Sequence, residues 1–219
     1  MAVPHQGQAR SPVPQLYLVT PAVEDPAAFA RQLEEALGAV EIAAVLLRLK
    51  AADERTLINR VKELAPVVQQ SGAALVLDGY PEIVARAGAD GAHLAGLEAF
   101  SAAFDSLKSE RIVGCGGLHT KHDTMVAAER GADYLMFGEP ERDGRRPLLD
   151  AVIERIEWWA EVFEIPCVGF AGSIEDLKPL AAAGADFIAL GDWIWQDARG
   201  ARATLSDIAR QLRGAEAAE

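Results

Sequence analysis

Three copies of Gly-Ala-Asp constrain this chain more than any other feature. They begin at Gly88, Gly131 and Gly184, recurring after 43 and then 53 residues. Each stands between a helical pattern and a short apolar run: Gly91-Ala92-His93-Leu94, Tyr134-Leu135-Met136-Phe137 and Phe187-Ile188-Ala189-Leu190. Glycine ends a helix in the left-handed conformation, aspartate suits the turn, and a short apolar run fits a strand buried on both faces. Such a recurrence predicts repeated helix-turn-strand modules. The intervals leave room for one more strand and helix between copies.

The other apolar runs fall into those gaps. Leu16-Tyr17-Leu18-Val19, Ile42 to Leu47, Ala74-Leu75-Val76-Leu77, Ile112-Val113-Gly114-Cys115 and Cys167-Val168-Gly169-Phe170 bring the strands to eight, with helical patterns between them. Asp25-Pro26 reads as an N-cap followed by proline at the first helical position. Ser173-Ile174-Glu175-Asp176 sets a capping side chain ahead of acidic residues that suit a helix start. Pro66, inside the pattern from Arg55 to Gln70, is expected to kink that helix.

Eight even units predict an α/β fold, a single (β/α)8 TIM barrel, and 219 residues suffice for one. A doubly wound open sheet is the alternative, but no G-x-G-x-x-G loop follows the first strand. The barrel is assigned to residues 15–213. Residues 1–14, polar and interrupted by Pro4, Pro12 and Pro14, read as a flexible N-terminal tail, and 214–219 as a C-terminal tail.

Composition matters for what it excludes. A formal charge of −12 repels nucleic acid and disfavours a membrane surface. No apolar run approaches the roughly 20 residues of a membrane helix, and the N-terminus has no apolar signal core. Two cysteines, Cys115 and Cys167, suit a reducing cytoplasm, the expected location. Apolar outer helices leave room for a homo-oligomer.

Active sites of such barrels lie at the carboxyl ends of the strands. Arg48 and Lys50 alternate to one side after the second strand. Two cations there suit an anion such as phosphate, although two solvated charges would read alike. Asp78 and Glu98, from neighbouring units, suit Mg2+, or a turn with Gly79 and a helix start. Gly172 and Ser173 can offer backbone N–H groups to a phosphate, or Ser173 can simply cap. His119, past the fifth strand, suits proton transfer near neutral pH, or is a plain loop histidine. His119 and His122 have no evident third ligand for zinc. Trp158, Trp159, Trp193 and Trp195 read as packing residues.

The order of these pieces resembles the thiamine-phosphate synthase family and its thiazole tautomerase relatives, from Leu16 to about Ile194. Leu16 to Thr20 resembles the opening strand, and Leu47-Arg48-Leu49-Lys50 the L-R-x-K element. Gly88 to Leu94 resembles A-D-G-x-H-L, Gly131 to Gly138 resembles G-A-D-Y-x-x-x-G, and Gly184 to Ile194 the final strand. The resemblance implies a transferase of thiamine biosynthesis that joins hydroxymethylpyrimidine diphosphate to a thiazole phosphate, with Mg2+, and releases pyrophosphate. It implies that Arg48 and Lys50 bind diphosphate, Asp78 and Glu98 hold Mg2+, and Gly172 and Ser173 bind the thiazole phosphate.

The chain departs from the family pattern at several mouth positions. The Asn-Asp pair reads Leu77-Asp78, and H-x-G-Q-x-D reads His93-Leu94-Ala95-Gly96-Leu97-Glu98. The serine after strand five is replaced by glycine in Gly114-Cys115-Gly116-Gly117. The T-x-T-K loop is missing from the region Glu139 to Arg146, where Arg145 or Arg146 is the candidate replacement cation. Asp192 stands where the family has serine after strand eight, a carboxylate that would repel phosphate unless turned away or metal-bound. Two alternatives follow: a tautomerase-type enzyme with His119 as acid–base, or a barrel without catalysis that binds a ligand or regulates.

Overall fold

The computed structural model describes residues 13–216, apart from residues 109 and 142 and the side chains beyond Leu212. Residues 1–12 and 217–219 of the two expected tails lie outside the described residues, while 214–216, expected as tail, continue the last helix. Eight parallel strands follow one another in chain order: β1 (Gln15–Val19), β2 (Ala44–Leu47), β3 (Ala74–Asp78), β4 (Gly91–Ala95), β5 (Ile112–Gly116), β6 (Tyr134–Phe137), β7 (Cys167–Ala171) and β8 (Phe187–Leu190). β8 pairs back onto β1, which closes the barrel and excludes the open sheet. The helices between them are α1 (Pro26–Leu37), α2 (Glu54–Gln70), α3 (Val84–Ala87), α4 (Leu97–Leu107), α5 (Lys121–Glu129), α6 (Leu149–Val162), α7 (Leu177–Ala182) and α8 (Ala201–Glu216). The chain is a single (β/α)8 barrel.

The repeated aspartate has a definite physical task. Asp90, Asp133 and Asp186 each donate a backbone N–H to the carbonyl of a residue at the start of the preceding strand: Leu75, Val113 and Cys167. Each carboxylate then accepts the N–H of that same residue, at 2.7, 2.8 and 2.8 Å. The turn before β4, β6 and β8 is thereby latched to β3, β5 and β7. Each latch satisfies a donor at the edge of the core, where an unpaired N–H is costly.

Alternation sorts the strand residues into two cores. Tyr17, Val19, Leu46, Val76, Tyr134, Met136, Val168 and Phe170 fill the barrel interior, while Leu16, Leu18, Val45, Leu75, Leu77 and Leu135 face the helices. Being buried on both sides is why the strands read as unbroken apolar runs. β2 starts at Ala44, later than the apolar run, because Ile42 is spent on packing rather than on the ladder. α2 is one helix through Pro66. Asp25 caps α1 as its sequence suggests, accepting from Ala28 N at 3.1 Å with Pro26 at the first position. The tryptophans after β8 pack and also tie the rim: Trp193 Nε1 donates to Ala171 O and Trp195 Nε1 to Val19 O. No helix among the described residues is long and apolar enough to cross a membrane.

Candidate functional site

The mouth is organised around Arg48, just past β2. Its backbone N–H is held by the hydroxyl of Thr20, which is fully buried at the end of β1 and itself donates to Pro21 O. The guanidinium lies between two carboxylates. Nε is 3.4 Å from Asp78 Oδ2 and Nη1 is 3.2 Å from Asp192 Oδ1, with the arginine side chain 25% exposed. Asp192 therefore faces a cation of its own chain, which answers the repulsion its sequence position suggests. Lys50 does not join this group; its Nζ is 2.6 Å from Glu24 Oε2 at an exposed position.

Beneath the mouth, the barrel interior holds a polar chain that sequence reasoning missed. Tyr17 Oη and Tyr134 Oη are 2.8 Å apart, Tyr134 Oη is 3.0 Å from His93 Nδ1, and His93 Nε2 is 3.6 Å from Glu139 Oε1. Burial opposes charge on His93, but Glu139 outweighs it with help from Asp78 and against Arg48, and the imidazole stays protonated to higher pH than usual. Burial raises both tyrosines, which remain neutral. It also pushes the Cys115 thiol up to about 12.

Glu139 belongs to the loop after β6, and its carboxylate occupies the space a side chain at Gly116 would need. The space beside this glycine is thus filled from the next loop. Glu139 Oε2 is buried and has no hydrogen-bond partner among the described residues. The glycine at 116, opposite an acidic residue two positions beyond a strand, was the available signal.

Glu139 also lines a cavity of about 1100 Å³ between the loops after β4, β5 and β6. Glu98 and His119 line the same cavity. His119 is exposed, and among the described residues nothing is hydrogen-bonded to its ring; only its carbonyl is engaged, by Arg155, which also binds Leu118 O.

The loop after β7 forms a third group. Asp176 Oδ2 accepts from Gly172 N at 2.7 Å and Asp176 Oδ1 from Ser173 Oγ at 3.1 Å. Ser173 does not cap the following turn; it donates instead. Of the two candidate arginines, Arg146 reaches this loop, its guanidinium lying over Gly172 and 3.4 Å from Asp176. It also donates to Phe170 O and Gly138 O. Arg145 is exposed and bound to Asp143 and Glu141 within its own loop.

Asp78 is engaged by Arg48, whereas Glu98 is exposed and lines a cavity that Asp78 does not. Among the described residues, no group of three or more His, Cys, Asp or Glu side chains is placed to hold a metal ion. These donors do not fit a Mg2+ site as they stand.

A closed parallel barrel with an arginine held between two carboxylates at its mouth defines a (β/α)8 barrel protein. Comparison narrows that class. The model of the family described as Thiamine monophosphate synthase matches residues 16–194. The thiamine-phosphate synthase of Rhodospirillum centenum is 38% identical over 203 residues, 91% of this chain and 98% of that protein. The thiamine-phosphate synthase of Hyphomonas neptunium is 33% identical, covering 89% and 91%. The structure of a thiamine phosphate pyrophosphorylase from Pyrococcus furiosus superposes with a TM-score of 0.75 at 21% identity, over 94% of this chain and 98% of that one. The chain belongs to the thiamine monophosphate synthase family.

Proposed function

We propose that this protein joins hydroxymethylpyrimidine diphosphate to a thiazole phosphate, in the manner its relatives' names indicate. The observation that supports this most is Arg48: its backbone is anchored through Thr20 at the β2 end and its guanidinium is partly open to solvent, within a family that makes thiamine phosphate. In the proposed reaction the bond between the pyrimidine methylene carbon and the diphosphate oxygen breaks. The electron pair leaves with pyrophosphate, and the thiazole nitrogen lone pair forms the new C–N bond. Negative charge develops on the leaving oxygen, and a preorganised cation beside it lowers the barrier.

Arg48 has that role, exchanging the Asp192 carboxylate for diphosphate oxygens. Lys50 assists at the rim by releasing Glu24. Arg146, with the Gly172 and Ser173 donors, receives the thiazole phosphate once Asp176 yields to it; Arg145 is too engaged in its own loop to be the first choice. No step is assigned to Mg2+, and His119 has no step in this reaction. The tautomerase and non-catalytic readings have no observation in their favour. The test is formation of thiamine phosphate, detected by oxidation to the fluorescent thiochrome ester, from both substrates. Absence of product across a range of Mg2+ concentrations would sink the proposal.

A further inference from the structure

We infer that Glu139 is the acceptor for an N–H group on the ring of the ligand, and so a specificity-determining residue for an amino-substituted heterocycle. The inference rests on the function proposed above for the identity of that ring, an aminopyrimidine. Three observations on this chain lead to it.

First, one oxygen of the Glu139 carboxylate has its hydrogen-bonding capacity unfilled. Oε2 is buried without a partner among the described residues, and Oε1 meets His93 at 3.6 Å, an ion-pair separation longer than a hydrogen bond. Buried carboxylate oxygens without donors are costly, and one that persists calls for a donor from elsewhere. Second, the side chain is held for a purpose other than packing. Gly116 leaves room for it, and His93, backed by Tyr134 and Tyr17, stands against it. Third, Glu139 lines the large cavity and keeps 16% of its side-chain surface open. The terminal torsion of a glutamate is broad and two-fold, so either oxygen can turn to a ligand. An acceptor-only carboxylate beside a cavity rejects an anion and selects an N–H donor. The anionic end of the ligand then falls to Arg48, and the ring to Glu139.

The experiment compares two unphosphorylated probes, 4-amino-5-hydroxymethyl-2-methylpyrimidine and its 4-deamino counterpart, titrated into the full chain, with inorganic pyrophosphate as a control. The wild type should prefer the amino form by about ten- to hundredfold, the scale of a hydrogen bond to a charged group. E139A should bind both forms alike, while its pyrophosphate affinity stays unchanged. E139Q keeps the shape and a reduced preference; it carries the comparison if E139A does not fold. An equal preference in E139A and wild type overturns the inference, as does a wild type that binds neither pyrimidine or binds both alike. Thiamine phosphate formed without any amino preference would overturn the inference and leave the proposed function standing. A Glu139-dependent preference without product would do the reverse.

Discussion

Arg48 and Asp192, 144 residues apart in sequence, meet across the barrel mouth at 3.2 Å. The pair spans the ends of β2 and β8, with Asp78 on the other flank of the guanidinium at 3.4 Å. An anion entering the mouth competes with these carboxylates for one cation. Replacing Asp192 with the serine typical of the family should therefore tighten pyrophosphate binding. The pair is partly exposed, so the gain is small, about two- to fivefold, in line with up to ~1 kcal/mol for such pairs. Calorimetric titration of wild type and D192S reads this directly. Weaker binding in D192S would show that Asp192 helps to position Arg48 rather than competing for it.

The His93–Glu139 pair predicts a pH dependence of stability. The His93 pKa is raised in the folded protein: burial lowers it, but Glu139 and then Asp78 overcome that. A raised histidine contributes stability that is fully present below its unfolded value, about 6.5. The contribution fades as pH climbs through the higher folded value. Urea midpoints measured upward from pH 6 should fall in the wild type with a histidine-like step. The step should shrink in E139Q. An identical step in both proteins would remove Glu139 as its cause.

Two interior glycines should respond differently to alanine. A Cβ at Gly91 would run into the backbone carbonyl of Ile112, so β4 and β5 must separate. The three atoms nearest to a Cβ at Gly116 all belong to the end of the Glu139 side chain, and a side-chain end shifts at less cost than a strand backbone. G91A should cost about 2–3 kcal/mol of unfolding free energy, as overpacking does, and G116A about 1 kcal/mol or less. G116A and E139A should also be non-additive by about 0.5–1 kcal/mol, because they share one contact. Strict additivity would argue that Glu139 does not lie over Gly116.

The latch aspartates give a test of the repeat. D186A leaves the Cys167 N–H at the edge of a buried strand without its carboxylate partner. Loss of that acceptor should cost about 1–3 kcal/mol, visible as a lower melting temperature. The mouth lies at the opposite end of the barrel, so the affinity for pyrophosphate should hold at 25 °C. A stable D186A would make the repeated aspartate a turn residue and nothing more.

Strands buried on both faces leave continuous apolar runs, and helix–turn–strand joints leave Gly-Ala-Asp, so all eight strands of the barrel were legible. The latch was not, because its partners, such as Asp90 in the turn before β4 and Leu75 in β3, are brought together only by the fold. The mouth was legible as a set of loop residues but not as pairings. Arg48 and Asp78 were visible, yet only folding shows that Asp192 meets Arg48 and that Lys50 turns to Glu24. Arg145 and Arg146 are adjacent and chemically alike; their separation into a loop-internal pair and a residue over Gly172 depends on how Asp143 and Asp176 compete for them. Glu139 was missed for a related reason: it matters because Gly116, on another strand, lacks a side chain, and only the fold sets the two together.

The proposed stabilisation of departing pyrophosphate by Arg48 is tested most directly by following pyrophosphate release from hydroxymethylpyrimidine diphosphate and thiazole phosphate, with wild type and R48A in parallel. The wild type should release pyrophosphate, and R48A should lose at least about a hundredfold in kcat, the scale of removing one preorganised stabilising group. Release that proceeds equally in R48A, or none above the uncatalysed rate in the wild type, would contradict it.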